Sequence, residues 1–234
     1  MKDSKLYSPK LTKLLRSLKR QAGSCSVPRY ADPIEAVIYG LICEQFSETA
    51  AERIYKRMKS HFVDLNDLRV SRVEEILDVF RDASPAAEHC ARAITQVLNA
   101  IFDKYDRIAL DMLGPDGKRQ AHKELSEIKG ITPFAVSYCF LTALEGHAVP
   151  LNAAMVEYLR KNEYVHPEAS ESEIAGFLER QIPANDAYTF YMLLRCLIEQ
   201  GALEKPKSSE KAAASAKTAK KKTAAVSKKT AKKK

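Results

Sequence analysis

The chain has 234 residues, of which 45% are hydrophobic, and carries a formal net charge of +8. No apolar run approaches the roughly 20 residues that cross a bilayer, and no apolar segment follows the N-terminus, so we expect neither a membrane span nor a secretory signal. The five cysteines are odd in number and widely spaced, which predicts reduced, buried thiols, no metal site and no cofactor. They are Cys25, Cys43, Cys90, Cys139 and Cys196.

Charge is divided unevenly along the chain. Residues 1–29 hold eight Lys/Arg against one Asp (+7), and residues 205–234 hold twelve Lys against one Glu (+11). The body between them, 30–204, holds eighteen Lys/Arg against twenty-eight Asp/Glu (−10). Because an acidic body repels phosphate at long range, the basic ends must supply any electrostatic attraction to nucleic acid. These boundaries divide the chain into a basic N-terminal segment, a central domain and a basic tail.

Leucines recur with helical spacing in residues 1–22. Leu11, Leu14, Leu15 and Leu18 follow the i, i+3, i+4, i+7 pattern, which predicts an amphipathic helix. The opposite face is basic, so this helix either docks on the body through its leucines or lies along an anionic surface. Docking is favoured, because the apolar face lacks the bulky aromatic residues typical of membrane-surface helices.

Helix signals dominate the first half of the body. Asp32 and Pro33 predict the N-cap and first position of a buried helix through Ile42, and Ser47 predicts the N-cap of the next. Gln45 lies between these two helices, where a turn residue is the ordinary interpretation. The further predicted helices are near 65–68 and 73–80, followed by a long one over 85–105.

Residues 125–145 predict two helices joined by a tight turn. Gly130 ends the first helix, because glycine adopts the positive φ that a helix terminus often needs. Thr132 is a good N-cap for the second helix, Pro133 fits its first position, and Gly146 is the expected C-terminal stop. Such a hairpin directs backbone N–H groups outward, where a phosphate can bind, although any pair of antiparallel helices can share such a turn.

The remaining elements are also helical. Extended residues 149–151 lead to Asn152, a natural N-cap for a helix that is expected to end at 166–167. A capping box at 170–173 begins another helix, and the last one is expected over 187–201. No sustained alternation of β-branched residues occurs, so the predicted fold class is all-α.

Three segments resemble the helix-hairpin-helix DNA glycosylases of the endonuclease III type. Residues 128–136 resemble the family's hairpin, Leu-Pro-Gly-Val-Gly-Arg-Lys-Thr-Ala, and residues 150–155 resemble its following loop, Pro-Val-Asp with an apolar residue three positions on. Residues 41–47 resemble a family segment whose Gln reaches into the DNA stack, which places Gln45 in that role. The likeness covers roughly 30–204 and implies a two-lobed helical body that binds double-stranded DNA through its phosphates.

The departures from the family fall on its chemistry. The catalytic aspartate corresponds to Asn152, which is uncharged and cannot act as a base near neutral pH. The nucleophilic lysine of the bifunctional members corresponds to Phe134, which cannot form a Schiff base. The second hairpin glycine corresponds to Thr132, and no cysteine follows Cys196 to hold the family's iron–sulfur cluster.

The resemblance places the DNA contacts of the body on the hairpin and beside it. A basic cluster that includes His122 precedes and enters the hairpin, and it either faces phosphate or is a solvated surface. The expected DNA-binding residues of the body are Gln45, Lys118, Arg119, Lys123, Lys129, Gly130 and Thr132.

The tail, 205–234, consists mostly of Lys, Ala, Ser and Thr, and contains the run Lys220, Lys221, Lys222. High charge without core-forming residues predicts disorder in isolation. The composition resembles linker-histone tails and the lysine/alanine extensions of bacterial nucleoid proteins, which implies DNA affinity without sequence choice. If about eight lysines contact duplex DNA, a plot of the logarithm of the binding constant against the logarithm of the salt concentration should have a slope of about −7. The alternative is a solubility tail or one that binds any polyanion, RNA included.

Two functions lead. The favoured one is a monomeric DNA-binding protein, nucleoid-associated in the cytoplasm or nuclear, that resembles base-excision-repair glycosylases without their ordinary glycosylase and lyase chemistry. The alternative is an active monofunctional DNA glycosylase in which another acid replaces the aspartate. Asp111, Glu145 and Glu157 are candidates for that acid, because they lie near the hairpin or the loop in sequence. An RNA- or protein-binding module is a third interpretation.

Overall fold

The computed structural model describes residues 1–22, 26–28, 30–113 and 117–201. These residues form eleven α-helices and no β-strand, which confirms the all-α fold class. The helices are α1 (Ser4–Ala22), α2 (Pro33–Gln45), α3 (Glu48–His61), α4 (Leu65–Val70), α5 (Val73–Phe80), α6 (Pro85–Tyr105), α7 (Lys118–Ser126), α8 (Pro133–Thr142), α9 (Ala153–Lys161), α10 (Glu171–Gln181) and α11 (Ala184–Glu199). Cys25 and the tail with Lys220, Lys221 and Lys222 lie outside the described residues.

The helix starts follow the capping signals of the sequence closely. The Asp32 carboxylate accepts a hydrogen bond from the Ile34 N–H at 2.8 Å, so the predicted N-cap of α2 is confirmed. The predicted capping box at the start of α10 is also present, with the Ser170 hydroxyl and the Glu173 carboxylate each accepting the other residue's backbone N–H. Short-range hydrogen bonds of this kind depend on few residues, which is why the sequence predicts them well.

The C-termini of α8 and α9 differ from their predicted positions. α8 stops at Thr142 and not at Gly146, because Glu145 takes the left-handed conformation with φ of 50°. Gly146 instead allows the Phe140 ring to lie against its backbone, since a Cβ at this position would be only 2.3 Å from that ring. α9 ends at Lys161, before 166–167, and a left-handed residue follows it there too.

The start of the last helix also differs from its prediction. α11 begins at Ala184 and not at residue 187. Asp186 was interpreted as part of a cap before the helix, but its N–H already donates to the Pro183 carbonyl at 2.8 Å. Proline favours the beginning of a helix, so Pro183 starts the turn earlier than the polar residues indicated.

α1 packs against α10 and α11 inside one compact unit that extends from residue 1 to 199, so the docked alternative is the observed one. Its basic face is partly neutralised by the body. Lys10 Nζ lies 3.0 Å from a Glu163 carboxylate oxygen, and Lys19 pairs with Asp186. The leucines buried by this docking are Leu11, Leu14 and Leu18.

α2 and α8 form an antiparallel pair in the interior. Midway along the pair Gly40 lies against Ala135, where a Cβ on the glycine would be 3.1 Å from the alanine Cα. At its end Glu44 of α2 meets Thr132, the N-cap of α8, through a side-chain hydrogen bond of 2.6 Å. The close contact between the helices therefore positions the C-terminus of α2 beside the turn of the hairpin.

Three cysteines are buried as predicted, whereas Cys196 is only partly buried. Burial raises the pKa of the Cys43, Cys90 and Cys139 thiols, so these groups stay protonated and act as small apolar side chains. Among the described helices, none combines the length and the apolar character required to span a bilayer.

Candidate functional site

A cleft of about 340 Å³ lies where the end of α2, the N-terminus of α9 and the C-terminal part of α11 meet. Its volume falls at the lower end of the range of about 300–1,000 Å³ typical of ligand pockets. Residues far apart in the sequence share this cleft, including the predicted Gln45 and Asn152. The polar residues among its lining are Glu44, Gln45, Ser47, Asn152, Arg195 and Glu199.

Asn152 is the N-cap of α9, as the sequence predicted. Its side-chain oxygen accepts the Met155 N–H at 3.0 Å, so this oxygen stabilises the helix start. The amide carries no charge, and it can offer the cleft only its two N–H donors and the remaining lone pair of that oxygen. This geometry supports helix capping, and Asn152, which the sequence resemblance matches to the family aspartate, supplies no base.

Phe134, which the sequence resemblance matches to the family lysine, is part of the aromatic core. The side chain is 2% exposed, stacks on Tyr138 at a centroid distance of 6.5 Å, and meets the Tyr191 ring edge-on at 6.1 Å. It does not line the cleft. This position therefore supplies no nucleophilic amine to the cleft.

The turn between α7 and α8 has the predicted positive φ at Gly130, but Gly130 does not end α7, which stops four residues earlier at Ser126. Gly130 has φ of 87°, which confirms the predicted left-handed conformation, and a Cβ there would meet the Gln96 side chain at 2.7 Å. Thr132 has φ of −90°, so a threonine is accommodated where the family has its second glycine. The Thr132 hydroxyl accepts the Ala135 N–H at 3.1 Å and caps α8.

The predicted basic residues are spread along the hairpin and do not line the cleft. Lys118 donates to the Glu145 backbone carbonyl beyond the C-terminus of α8. α7 has nine residues and so extends about 13 Å, which separates Lys118 from the turn. Arg119, Lys123 and Lys129 are exposed.

The acids proposed from the sequence lie outside the cleft. Asp111 pairs with Arg107 at 2.7 Å, while Glu145 and Glu157 are exposed. Closeness in sequence did not predict which acid lines the cleft, because these acids occupy exposed positions whose side chains point away from the interior. Two carboxylates line the cleft, Glu44 and Glu199. Glu44 directly precedes Gln45 and was missed although it lies within the segment that resembles the glycosylases.

Glu44 is partly buried at the edge of the cleft. Burial raises the pKa of its carboxyl above the ordinary value, the hydrogen bond from Thr132 and the nearby His89 act in the opposite direction, and the charge of Glu171 adds to the increase. One carboxylate oxygen accepts the Thr132 hydroxyl, and the other has no hydrogen bond to a described residue. This second oxygen is available to a group that enters the cleft.

The wall of the cleft is fixed by a buried arginine that sequence reasoning also missed. Arg195 is 2% exposed, and its guanidinium donates to Glu199 at 2.7 Å, to the Tyr191 hydroxyl at 2.8 Å and to the Phe46 carbonyl. The Glu199 carboxylate in turn accepts the Glu48 N–H at 3.0 Å and caps α3, where Ser47 makes no side-chain cap. No group of three or more His, Cys, Asp or Glu in the described residues is arranged to hold a metal ion.

Sequence comparison identifies a distant relative. No known family profile matches the chain. An Arabidopsis thaliana protein named as a candidate DNA glycosylase is 22% identical over 150 residues, which are 64% of this chain and 51% of that protein. The chain thus spans about half the length of the curated relative it matches.

Structural comparison shows the fold. A trapped endonuclease III–DNA covalent intermediate superposes with a TM-score of 0.63 at 14% identity, covering 87% of this chain and 90% of that chain. The Clostridium acetobutylicum 8-oxoguanine glycosylase/lyase in complex with double-stranded DNA has a TM-score of 0.63 at 14% identity and 85% and 71% coverage. A thermostable thymine-DNA glycosylase gives 0.61 at 11% identity and 87% and 90% coverage.

The body therefore has the fold of the helix-hairpin-helix DNA glycosylases, and it resembles the base-excision-repair enzymes among them. Endonuclease III is one of the solved proteins with this fold, so the endonuclease III-like architecture predicted from the sequence is confirmed.

Proposed function

We propose that the protein binds double-stranded DNA and holds an unpaired or extruded nucleotide at the cleft, without the lyase step and the aspartate chemistry of the glycosylases it resembles. The observation that carries this proposal is the meeting of Gln45 and Asn152 in one cleft beside the hairpin. Several neighbours in fold are complexes with DNA, including two of endonuclease III. Fold alone does not define activity, so the argument rests on the site.

The hairpin supports contact with the DNA backbone. Gly130 brings the chain through a positive φ immediately before the N-terminus of α8, and the exposed Lys129 lies in the same turn. Backbone N–H groups and the partial positive charge of a helix start both favour phosphate at such a place. The lysine adds a mobile charge, which gives affinity without reading the base sequence.

Gln45 supports recognition of the nucleotide. It is the last residue of α2, is partly exposed at the cleft, and makes no side-chain hydrogen bond to a described residue. Its amide is therefore available to substitute for the hydrogen bonds of a base that leaves the stack. Extruding a base costs a few kcal/mol and costs least at a mismatch or an abasic site, so the protein should prefer such duplexes over intact ones.

The residue types at positions 134 and 152 argue against the lyase reaction as the family performs it. Schiff-base formation needs an amine close to the sugar, and Phe134 supplies an aromatic ring inside the core. Asn152 cannot stabilise a sugar cation by charge. The proposed DNA binding therefore does not depend on the two side chains that catalyse the reaction in the family.

The two basic ends supply the long-range attraction that the acidic body lacks. We expect the tail 205–234, which lies outside the described residues, to contact phosphates, and the protein to act as a monomer in the nucleoid or the nucleus. Counterion release makes this contribution steeply dependent on salt. Tail and cleft then have separate roles, the first giving affinity and the second giving preference for a damaged or distorted site.

The test is fluorescence anisotropy with a duplex that carries a tetrahydrofuran abasic analogue and with the matched intact duplex, over a range of salt. Deleting 205–234 should reduce the salt slope while the preference for the abasic analogue is retained. Gln45→Ala should abolish that preference, and Lys129→Gln should weaken both duplexes alike. Lys161→Gln is the matched control, because Lys161 is exposed at the opposite end of α9 from Asn152. Equal behaviour of Gln45→Ala and the natural protein would refute the placement of DNA at the cleft.

A second function is favoured by one observation. Glu44 places a carboxylate in the cleft at which the nucleotide is proposed to bind. An active monofunctional glycosylase requires an acid there, and the alternative predicted from the sequence therefore has a specific candidate residue.

A further inference from the structure

We propose that Glu44 is the catalytic carboxylate of this cleft, that it stands in for the acid that Asn152 lacks, and that the reaction is hydrolysis of an N-glycosidic bond in DNA. The inference rests on the proposed binding of a nucleotide at the cleft. It assigns the charge-stabilising role to the end of α2, whereas the family resemblance locates that role at the start of α9.

Glu44 is held in place from the hairpin side. Its Oε2 accepts the Thr132 hydroxyl at 2.6 Å, and the Thr132 oxygen is itself fixed by the Ala135 N–H at 3.1 Å. The helix that carries Glu44 is packed closely against α8 at Gly40, which holds the backbone of this helix beside the hairpin. One oxygen is therefore positioned, and the other remains available for a sugar or a water molecule.

The second carboxylate of the cleft is already engaged. Glu199 receives a hydrogen bond from Arg195 at 2.7 Å and from the Glu48 N–H at 3.0 Å, so its charge is neutralised and both contacts support the fold. Arg195 makes no ion pair with Glu44, because its donors point to Glu199, Tyr191 and Phe46. Glu44 is thus the cleft carboxylate whose charge has no cationic partner in direct contact among the described residues.

The electrostatic environment agrees with this geometry. Burial raises the pKa of Glu44, and the opposing contributions come from the Thr132 hydrogen bond and the nearby charge of His89. A half-buried carboxylate with incomplete compensation attracts a cation that enters the cleft, and such groups concentrate at functional sites. The alternative role, a purely structural partner for the Thr132 hydroxyl, would be fulfilled equally well by glutamine.

The chemistry needs only water and this carboxylate. The bond between the sugar C1′ and the base nitrogen breaks, its electron pair leaves with the base, and positive charge develops on the sugar beside Glu44. The oxygen of one water bonds to C1′, one proton of that water passes to the Glu44 carboxylate and then to solvent, and the base takes up one proton from solvent. The products are the free base and an abasic site, and no oxidant or reductant is involved.

The first test does not require knowledge of the excised base. A duplex with a pyrrolidine abasic analogue, which is cationic when protonated, is compared with the neutral tetrahydrofuran duplex by anisotropy near neutral pH. The natural protein should prefer the cationic analogue about tenfold, the effect expected of one partly solvated charge pair. Glu44→Gln should lose this preference and Glu44→Asp should regain part of it. The matched control is Glu157→Gln, because Glu157 is an exposed carboxylate on α9 outside the cleft.

The outcomes separate the two proposals. If the tetrahydrofuran duplex binds in a Gln45-dependent manner but the cationic analogue gains nothing, the role of Glu44 is refuted and DNA binding at the cleft stands. If Gln45→Ala leaves the binding of both analogues unchanged, both proposals fail. A preference that persists in Glu44→Gln refutes the assignment to this residue.

Single-turnover excision gives the second test. Duplexes carrying uracil, hypoxanthine, 3-methyladenine or 8-oxoguanine are incubated with excess full-length protein, and free base is quantified. At least one should be cleaved, with a loss of 100-fold or more in Glu44→Gln and none in Glu157→Gln, a loss typical of removing a charge that stabilises a transition state. Excision that is equal in Glu44→Gln and the natural protein, or absent for every base, refutes the catalytic role.

Discussion

The buried Arg195 makes a specific prediction about how the cleft is held open. Arg195→Met keeps most of the side-chain volume and removes the guanidinium, which leaves Glu199 and Glu48 without their cation and the Phe46 carbonyl without its donor. Breaking a buried ion pair by removing one partner costs about 3–5 kcal/mol. The Glu48 and Glu199 side chains are 19% and 29% exposed, so water can partly solvate the carboxylates left without a cation. We therefore expect a loss of about 3 kcal/mol in the free energy of unfolding, the lower end of this range.

This loss is measurable by thermal unfolding followed by circular dichroism at neutral pH. For a domain of this size, 1 kcal/mol shifts Tm by about 2–4 °C, so Arg195→Met should lower Tm by about 6–12 °C. Arg92→Met is the matched control, because its ion pair with Glu88 is exposed on both sides, with 63% and 48% of the side chains accessible, and should cost less than about 1 kcal/mol. Equal Tm decreases in the two variants would show that the Arg195 network does not support the fold.

Three further predictions follow from the cleft and the hairpin. The raised pKa of Glu44 means that the folded protein binds the proton of this carboxyl more tightly than the unfolded chain does, so the free energy of unfolding falls as pH rises through the folded pKa. Urea unfolding should show that Glu44→Gln loses this pH dependence and is at least as stable as the natural protein at neutral pH. Gly130→Ala and Gly117→Ala both force alanine into a positive φ, 87° and 97°, and should each cost at least about 1 kcal/mol. Gly130→Ala should cost more, because its Cβ would also meet the Gln96 side chain at 2.7 Å, and only this variant should weaken duplex binding. Borohydride treatment with an abasic duplex should yield no adduct within residues 1–204, because Phe134 offers no amine; a mapped adduct there would reveal a different reactive lysine.

Phe134 also shows where sequence reasoning reached its limit. The sequence established that this position has no amine, which follows from residue identity alone. That the ring belongs to an aromatic core with Tyr138 and Tyr191 depends on the packing of α8 against α11, so it was not predicted.

Asn152 and Glu44 show the same division within the site. The N-cap role of Asn152 involves a hydrogen bond to a residue three positions on, so local sequence was sufficient to predict it. Glu44 gains its position from Thr132, which is brought to it by the antiparallel packing of α2 and α8. The candidates chosen by sequence distance, Asp111 and Glu157 among them, lie outside the cleft because proximity along the chain does not determine which side of a helix faces the interior.

The sequence by itself determined the helical class, most helix starts, the left-handed Gly130 and the absence of an amine at Phe134 and of a charge at Asn152, since all of these depend on residue type and on contacts within a few positions. Only the tertiary structure decided that Gln45, Glu44 and Asn152 share one cleft and that Arg195 supports its wall. Those contacts join segments about 50 to 150 positions apart in the chain. They arise from the burial of apolar helix faces, which aligns distant polar residues that no local pattern connects.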